Sequence, residues 1–147
     1  MKKIFLMSAL FMIFIFPAKV NAADWVWVYS DNYRTIWIDN NSVGRDSNGF
    51  FAYFKETYSE AGRNRIIESR RSFGFSVSGF YNLSDCIVFF YFKSSGRTKY
   101  LSSMGSVYYD KNGNILDSAS TNYFIWGRII PDTLGEAKYD AAYARVW

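Results

Sequence analysis

The seven residues Cys86-Ile87-Val88-Phe89-Phe90-Tyr91-Phe92 are apolar throughout and are bounded by polar residues, Ser84-Asp85 before and Lys93-Ser94-Ser95 after. A bounded apolar run of about four to eight residues, rich in β-branched and aromatic side chains, fits a buried strand better than a helix, which needs about ten. A central strand covered on both faces is therefore expected over Cys86–Phe92. A central strand needs neighbours, and the chain supplies them in both directions.

Downstream, Arg97–Tyr109 and Ile115–Ser120 flank Asp110-Lys111-Asn112-Gly113-Asn114. An Asn-Gly pair between two strand-like runs signals a hairpin whose two central residues tolerate positive φ. Tyr123–Ile130 reads as a last strand, which Pro131 ends. Upstream, Asp24–Tyr29 alternates Trp25, Trp27 and Tyr29 with Val26 and Val28. The Asp31-Asn32 turn leads into a strand over Tyr33–Asp39, and Asn48-Gly49 leads into another over Phe50–Thr57 with Phe50, Ala52 and Phe54 on one face. Arg63–Phe73, where Ile66 and Ile67 sit among four arginines, reads as a solvent-edged strand. Phe75–Leu83, bracketed by Gly74 and containing Gly79, is ambiguous between regular elements. Thr133-Leu134-Gly135-Glu136 matches a capping box, and the helix it opens carries Leu134, Ala137, Ala141 and Ala144 on one stripe. The order is six or seven strands followed by one terminal helix.

The N-terminus reads as an export signal over residues 1–22: Met1-Lys2-Lys3 is positive, Ile4–Phe16 is apolar but for Ser8, and Val20-Asn21-Ala22 places small residues before a cut at Ala23. The apolar core is short of the ~20 residues that a spanning helix requires. A single domain over residues 23–147 is expected, with no membrane span in it. Three of the 17 basic residues, Lys2, Lys3 and Lys19, lie in the leader, which leaves 14 basic against 13 acidic groups after it. That near-balance gives no reason to expect a nucleic acid as partner.

The chain has no histidine, which removes the commonest general base and the commonest zinc ligand. Its one cysteine, Cys86, opens the most apolar strand and reads as a small buried hydrophobe. Asp110, Asn112 and Asn114 copy the first positions of a calcium loop, but Ile115 stands where the loop needs glycine and Thr121 where it needs glutamate. No metal, cofactor or catalytic residue is assigned. The one basic cluster, Arg63, Arg65, Arg70 and Arg71, together with Tyr58, is the candidate binding segment for an acidic protein or a polysaccharide. Tyrosine is also abundant, 12 in all, so some of Tyr58, Tyr81, Tyr108, Tyr109 and Tyr123 are expected at the surface.

A spaced set of marks resembles the surface-adhesin protein E-like family of small exported bacterial proteins. They are Trp25; Ile36-Trp37-Ile38-Asp39 with Ser42-Val43; Asp85-Cys86 before the aromatic strand; Tyr100; Gly105-Ser106-Val107; and Trp126-Gly127-Arg128-Ile129-Ile130-Pro131-Asp132-Thr133-Leu134-Gly135-Glu136. The resemblance implies a curved antiparallel sheet of about six strands packed on one C-terminal helix, an α+β fold that is mainly β. It also implies a homodimer in many members and an adhesive role at the cell surface. Two departures are plain: Cys86 has no second cysteine to pair with, and Ala22-Ala23 offers no cysteine for a lipid anchor. The expected function is a non-enzymatic exported binding module, periplasmic, surface-bound or secreted. The alternatives are a small envelope hydrolase or enzyme inhibitor, or a structural accessory protein of envelope assembly.

Overall fold

The computed structural model describes residues 22–147; the expected leader lies, but for Ala22, outside the described residues. Eight antiparallel strands form one sheet: β1 (Trp25–Ser30), β2 (Arg34–Asp39), β3 (Gly44–Asp46), β4 (Gly49–Tyr58), β5 (Leu83–Ser95), β6 (Thr98–Asp110), β7 (Ile115–Ser120) and β8 (Gly127–Arg128). The principal order is β1-β2-β4-β5-β6-β7, and the two short strands complete it, β3 on β4 and β8 on β6. Two helices accompany the sheet, α1 (Glu60–Ser72) and α2 (Leu134–Val146). The mainly-β architecture with a C-terminal helix is thus the one the strand order implied. Among the described residues no helix is long and apolar enough to cross a membrane.

The alternation of β4 and β5 decides what is inside. Phe50, Ala52, Phe54 and Glu56 of β4 and Cys86, Val88, Phe90 and Phe92 of β5 point to one face and are buried. Ile36 and Ile38 of β2 extend the same inner face, and Ile129, Tyr139 and Ala142 close over it. Tyr139 stands edge-on to both Phe50 and Phe92, at 5.0 and 6.0 Å between ring centres. α2 docks through Lys138, Tyr139 and Ala142, whereas Ala144 of the expected stripe is exposed. Its start is as read, but the capping box is incomplete. Glu136 accepts from the Asp132 amide (2.9 Å), while the Thr133 hydroxyl donates backwards to the Ile130 carbonyl (2.7 Å).

The segment Arg63–Phe73, expected as an edge strand, is helical. Ser59 is the N-cap of α1 and accepts from the Gly62 amide (3.1 Å); Glu60 lies in the first turn and Arg70 and Arg71 in the last, each matched to the helix dipole. Ile67 points at Phe80 and Leu83 in a small second core that Tyr58 and Tyr108 join to the main one, so both helices lie on the same face of the sheet. The start of α1 is pressed onto the β1–β2 turn: a Cβ at Gly62 would come within 1.9 Å of the Tyr33 carbonyl oxygen.

Two further expectations change. The β6–β7 connection is a three-residue turn, not a two-residue one. The Gly113 amide donates to the Asp110 carbonyl (3.0 Å), and Gly113 alone takes positive φ (82°). Of Tyr123–Ile130 only Gly127–Arg128 pairs as a strand.

Candidate functional site

The structure separates the residues of the expected arginine site. Tyr58 points inward: its hydroxyl donates to Glu56 Oε2 (3.1 Å), and burial, aided by the Glu56 charge, pushes its ionisation far above the ordinary range. Arg70 is largely covered, pairs with Asp117 (2.6 Å) and lies 4.1 Å over the Phe80 ring. Arg65 lies over Tyr33 at 4.5 Å, and Arg71 bonds the exposed Tyr81 hydroxyl. Arg63 is half-buried on the face that carries Ile67 and Arg70, four and seven residues along the helix. Arg65 faces the opposite way. Tyr81 and Tyr123 are exposed, as expected of some tyrosines, while Tyr58, Tyr108 and Tyr109 are half-buried.

A polar cluster that the residue reading did not single out lies beneath α2. Glu56 receives Lys138 Nζ on Oε1 (2.5 Å) and Arg34 Nη1 on Oε2 (2.8 Å). Burial pushes the Glu56 carboxyl up, but the two cations and their hydrogen bonds together outweigh it and hold the group below its ordinary value. Cys86 is paired with Glu56 across the strands; burial, with the Glu56 charge, pushes its thiol up to about 12. Burial likewise takes Tyr108 to about 12. Shifts of this kind are typical of catalytic centres. Here they mark a closed ion pair: Glu56 and Lys138 are 5% and 6% exposed, and α2 lies over them. The cluster anchors a helix. The Asp110 loop is similarly self-satisfied, since Asp110 Oδ1 accepts from the Asn112 and Asn114 amides (2.8 Å each) and Oδ2 from the Asn114 side chain (2.9 Å).

What remains open is the other face of the sheet. The outward residues of the two long central strands are Phe51, Tyr53 and Lys55 on β4 and Ile87, Phe89, Tyr91 and Lys93 on β5. Among the described residues no helix covers them. The expected cover on both faces of Cys86–Phe92 is therefore absent from this side, where the side chains shield one another instead. Tyr53 stacks on Phe89 (4.6 Å), Phe89 meets Phe51 (5.7 Å), and Phe51 meets Tyr91 (5.2 Å). The segment between β7 and β8 crosses one end of this face. There Phe124 meets Tyr91 (5.0 Å) and lies nearly parallel to Trp126 (5.1 Å, 11°). Each such aromatic contact contributes on the order of 1 kcal/mol beyond simple burial, so the array is held in place before any partner arrives.

Lysines edge the array at both ends. Lys55 Nζ lies 4.9 Å from the Trp25 ring and 5.8 Å from that of Trp37, and Lys93 Nζ lies 4.1 Å from Trp126. Beside Tyr53 and Phe89 the face opens into a groove of about 380 Å³, where Gly105, directly opposite Phe89, supplies no side chain to fill it. A second groove of about 700 Å³ lies where the β3–β4 turn meets the end of α2, and there Arg45 packs over Trp147 at 4.5 Å. The alternation of Phe51, Tyr53, Phe89 and Tyr91 was present in the sequence. The signal that would have marked them as a surface is the shortage of helices: one amphipathic helix cannot cover both sides of a broad sheet. Comparisons with protein-family models, with curated proteins and with solved structures return no match, which leaves the geometry of this face to carry its interpretation.

Proposed function

We propose that the protein is an exported, non-enzymatic binding module, adhesin-like in character, and that it engages its partner through the outer face of the sheet. The observation that carries the reading is the continuous aromatic array from Tyr53 to Trp126, which no helix among the described residues covers and which Lys55 and Lys93 edge. The rings are half-buried against one another but for the exposed Tyr53, and apolar area of this kind, partly open to water, marks interaction sites. A non-enzymatic role is supported by the state of the most perturbed carboxylate, Glu56, which is bound on both oxygens beneath α2.

The test is capture of partners from cell-envelope and host-matrix fractions by the immobilised protein. The double variant Tyr53→Ser/Lys93→Ser should lose capture roughly tenfold, as expected when anchoring aromatics and a charged rim residue are removed. A second variant, Arg65→Ser/Arg71→Ser, alters the exposed part of the arginine helix and should retain capture. The opposite pattern would move the site to α1. Equal capture by all three proteins would sink the proposal.

A further inference from the structure

We infer that one corner of this face, formed by Lys93, Tyr100, Trp126 and Arg128, binds an anionic polysaccharide bearing carboxylate or sulfate groups on its sugar rings. The inference rests on the binding-module reading above and adds the class of ligand. Its foundation is a row of side chains. Lys93 pairs with Tyr100 across β5 and β6, and Tyr100 pairs with Arg128 across β6 and β8, so the three stand side by side on the outer face. With neighbouring strands about 4.8 Å apart, the two cations are carried about 10 Å from each other with an aromatic ring between them. Trp126 adjoins the row, its ring 4.1 Å from Lys93 Nζ, and the parallel Phe124 ring holds the indole in place.

The cations lack counter-charges. Among the described residues neither Lys93 nor Arg128 has a carboxylate within ion-pairing distance, and neither does Lys55 at the far end of the array. Asp46, which accepts from the Tyr91 hydroxyl (2.8 Å) and the Asn48 amide (2.7 Å), is engaged locally. Lys93 and Arg128 therefore offer positive charge that no direct ion pair engages, beside aromatic rings. A ligand complementary to that arrangement carries spaced anionic groups on an otherwise flat, weakly apolar frame. A charged pyranose chain does so: its C–H face lies against the negative face of an aromatic ring while its carboxylates or sulfates reach the flanking cations.

The position on a sheet face favours a glycan over an acidic peptide. An extended peptide gains affinity by adding its backbone to a free sheet edge. Here Lys93 and Tyr100 belong to strands already paired on that register, so a peptide laid across them would give up water at its amides and carbonyls without replacement. A polysaccharide keeps its outward hydroxyls in solvent. The array also continues along β5 from Lys93 to Ile87, beside Lys55, a path of about 20 Å at ~3.4 Å per residue, long enough for several sugars.

Calorimetric titration of the purified protein provides the test, with a heparin tetrasaccharide and tetragalacturonate as anionic probes, cellotetraose as neutral probe and tetraglutamate as acidic peptide. The expected result is binding of at least one anionic sugar that weakens with added salt, and none of cellotetraose or tetraglutamate. Lys93→Ser/Arg128→Ser should weaken that binding by roughly tenfold or more, and so should Trp126→Ala, with the double-variant melting temperature unchanged. Failure of both anionic sugars to bind, or undiminished binding in the double variant, overturns the inference. Tetraglutamate binding as tightly as the sugars overturns it in favour of an acidic peptide. The parent reading falls separately, only if the capture experiment with Tyr53→Ser/Lys93→Ser shows no loss.

Discussion

Glu56 shows how far a single residue can mislead when its burial and its charge are considered apart. It occupies the inward phase of β4 after Phe50, Ala52 and Phe54, where a carboxylate alone would be costly to bury. Lys138 and Arg34 resolve the cost, and the carboxyl sits below its ordinary value of 4.5. A depressed carboxyl stabilises the fold above the unfolded value and loses that contribution as pH falls through the folded one. Urea melts of the wild-type protein should therefore lose stability as pH drops below about 4.5, and Glu56→Gln should show a shallower decline. Asp46, Asp110 and Glu136 are held low as well, but they are common to both proteins and cancel in the comparison. At neutral pH, Lys138→Met should cost about 3 kcal/mol by leaving the buried carboxylate with one cation, and Glu56→Gln/Lys138→Met should recover part of it. Parallel pH profiles would remove Glu56 from the account. The sequence held half of this. The alternation that puts Phe50, Ala52 and Phe54 on one face runs on to Glu56, which was not read from it, and its partners are 22 and 82 residues away, brought together only by the folded sheet.

At the scale of elements, the strands marked by alternation, by a bounded apolar run or by flanking turn residues were legible and the segments governed by caps or crossings were not. β2, β4 and β6 lie within a residue or two of where alternation and turn residues placed them, and β5 contains the bounded apolar run Cys86–Phe92 and extends it at both ends. α1 was misread because adjacent Ile66 and Ile67 among arginines give no clear period. The decisive marks were Ser59 at the N-cap, before that run, and the spacing within it that aligns Arg63, Ile67 and Arg70 on one face. The stretch before β8 is aromatic and β-branched like a strand, yet Phe124 meets Tyr91 on the outer face and Trp126 stacks on Phe124, contacts that replace a ladder. The helix reading divides the arginines by role. Arg70→Ser should destabilise by about 1–2 kcal/mol, because it removes a covered ion pair and the guanidinium that covers Phe80. Arg65→Ser, on the exposed side, should stay within about 0.5 kcal/mol of wild type. Denaturant melts of the two single variants decide it; equal losses would mean that α1 does not dock as described.

The whole molecule is a sheet with one dry side and one wet side, and the division of labour follows from that asymmetry. Both helices cover the inner face, so the aromatic richness of the chain is shared between a core and an outer array that is half-buried but for the exposed Tyr53. Composition alone could not apportion it. The same residue types serve on both faces, and Phe54 and Tyr53 differ only in which way their neighbouring positions point: 0% and 43% exposed. If the helices hold the fold and the outer face meets the partner, removal of α2 should be destructive regardless of what the outer face does. α2 has 13 residues, too short to be stable alone in water, so it exists by docking. Its loss would bare Phe50, Phe92 and the neighbouring inner-face side chains that Tyr139 and Ala142 now cover. Each large apolar side chain returned to water costs about 1.5–3 kcal/mol, so three or four of them match the whole ~5–15 kcal/mol by which a domain is stable. Deletion of Pro131–Trp147 also leaves Glu56 without Lys138. The truncated protein should therefore show no cooperative thermal transition by circular dichroism and should bind a hydrophobic dye at temperatures where the full chain does not. A sharp melt retained after that deletion would mean that the sheet stands without its helix, and the inner face would then have to be reconsidered as a second open surface.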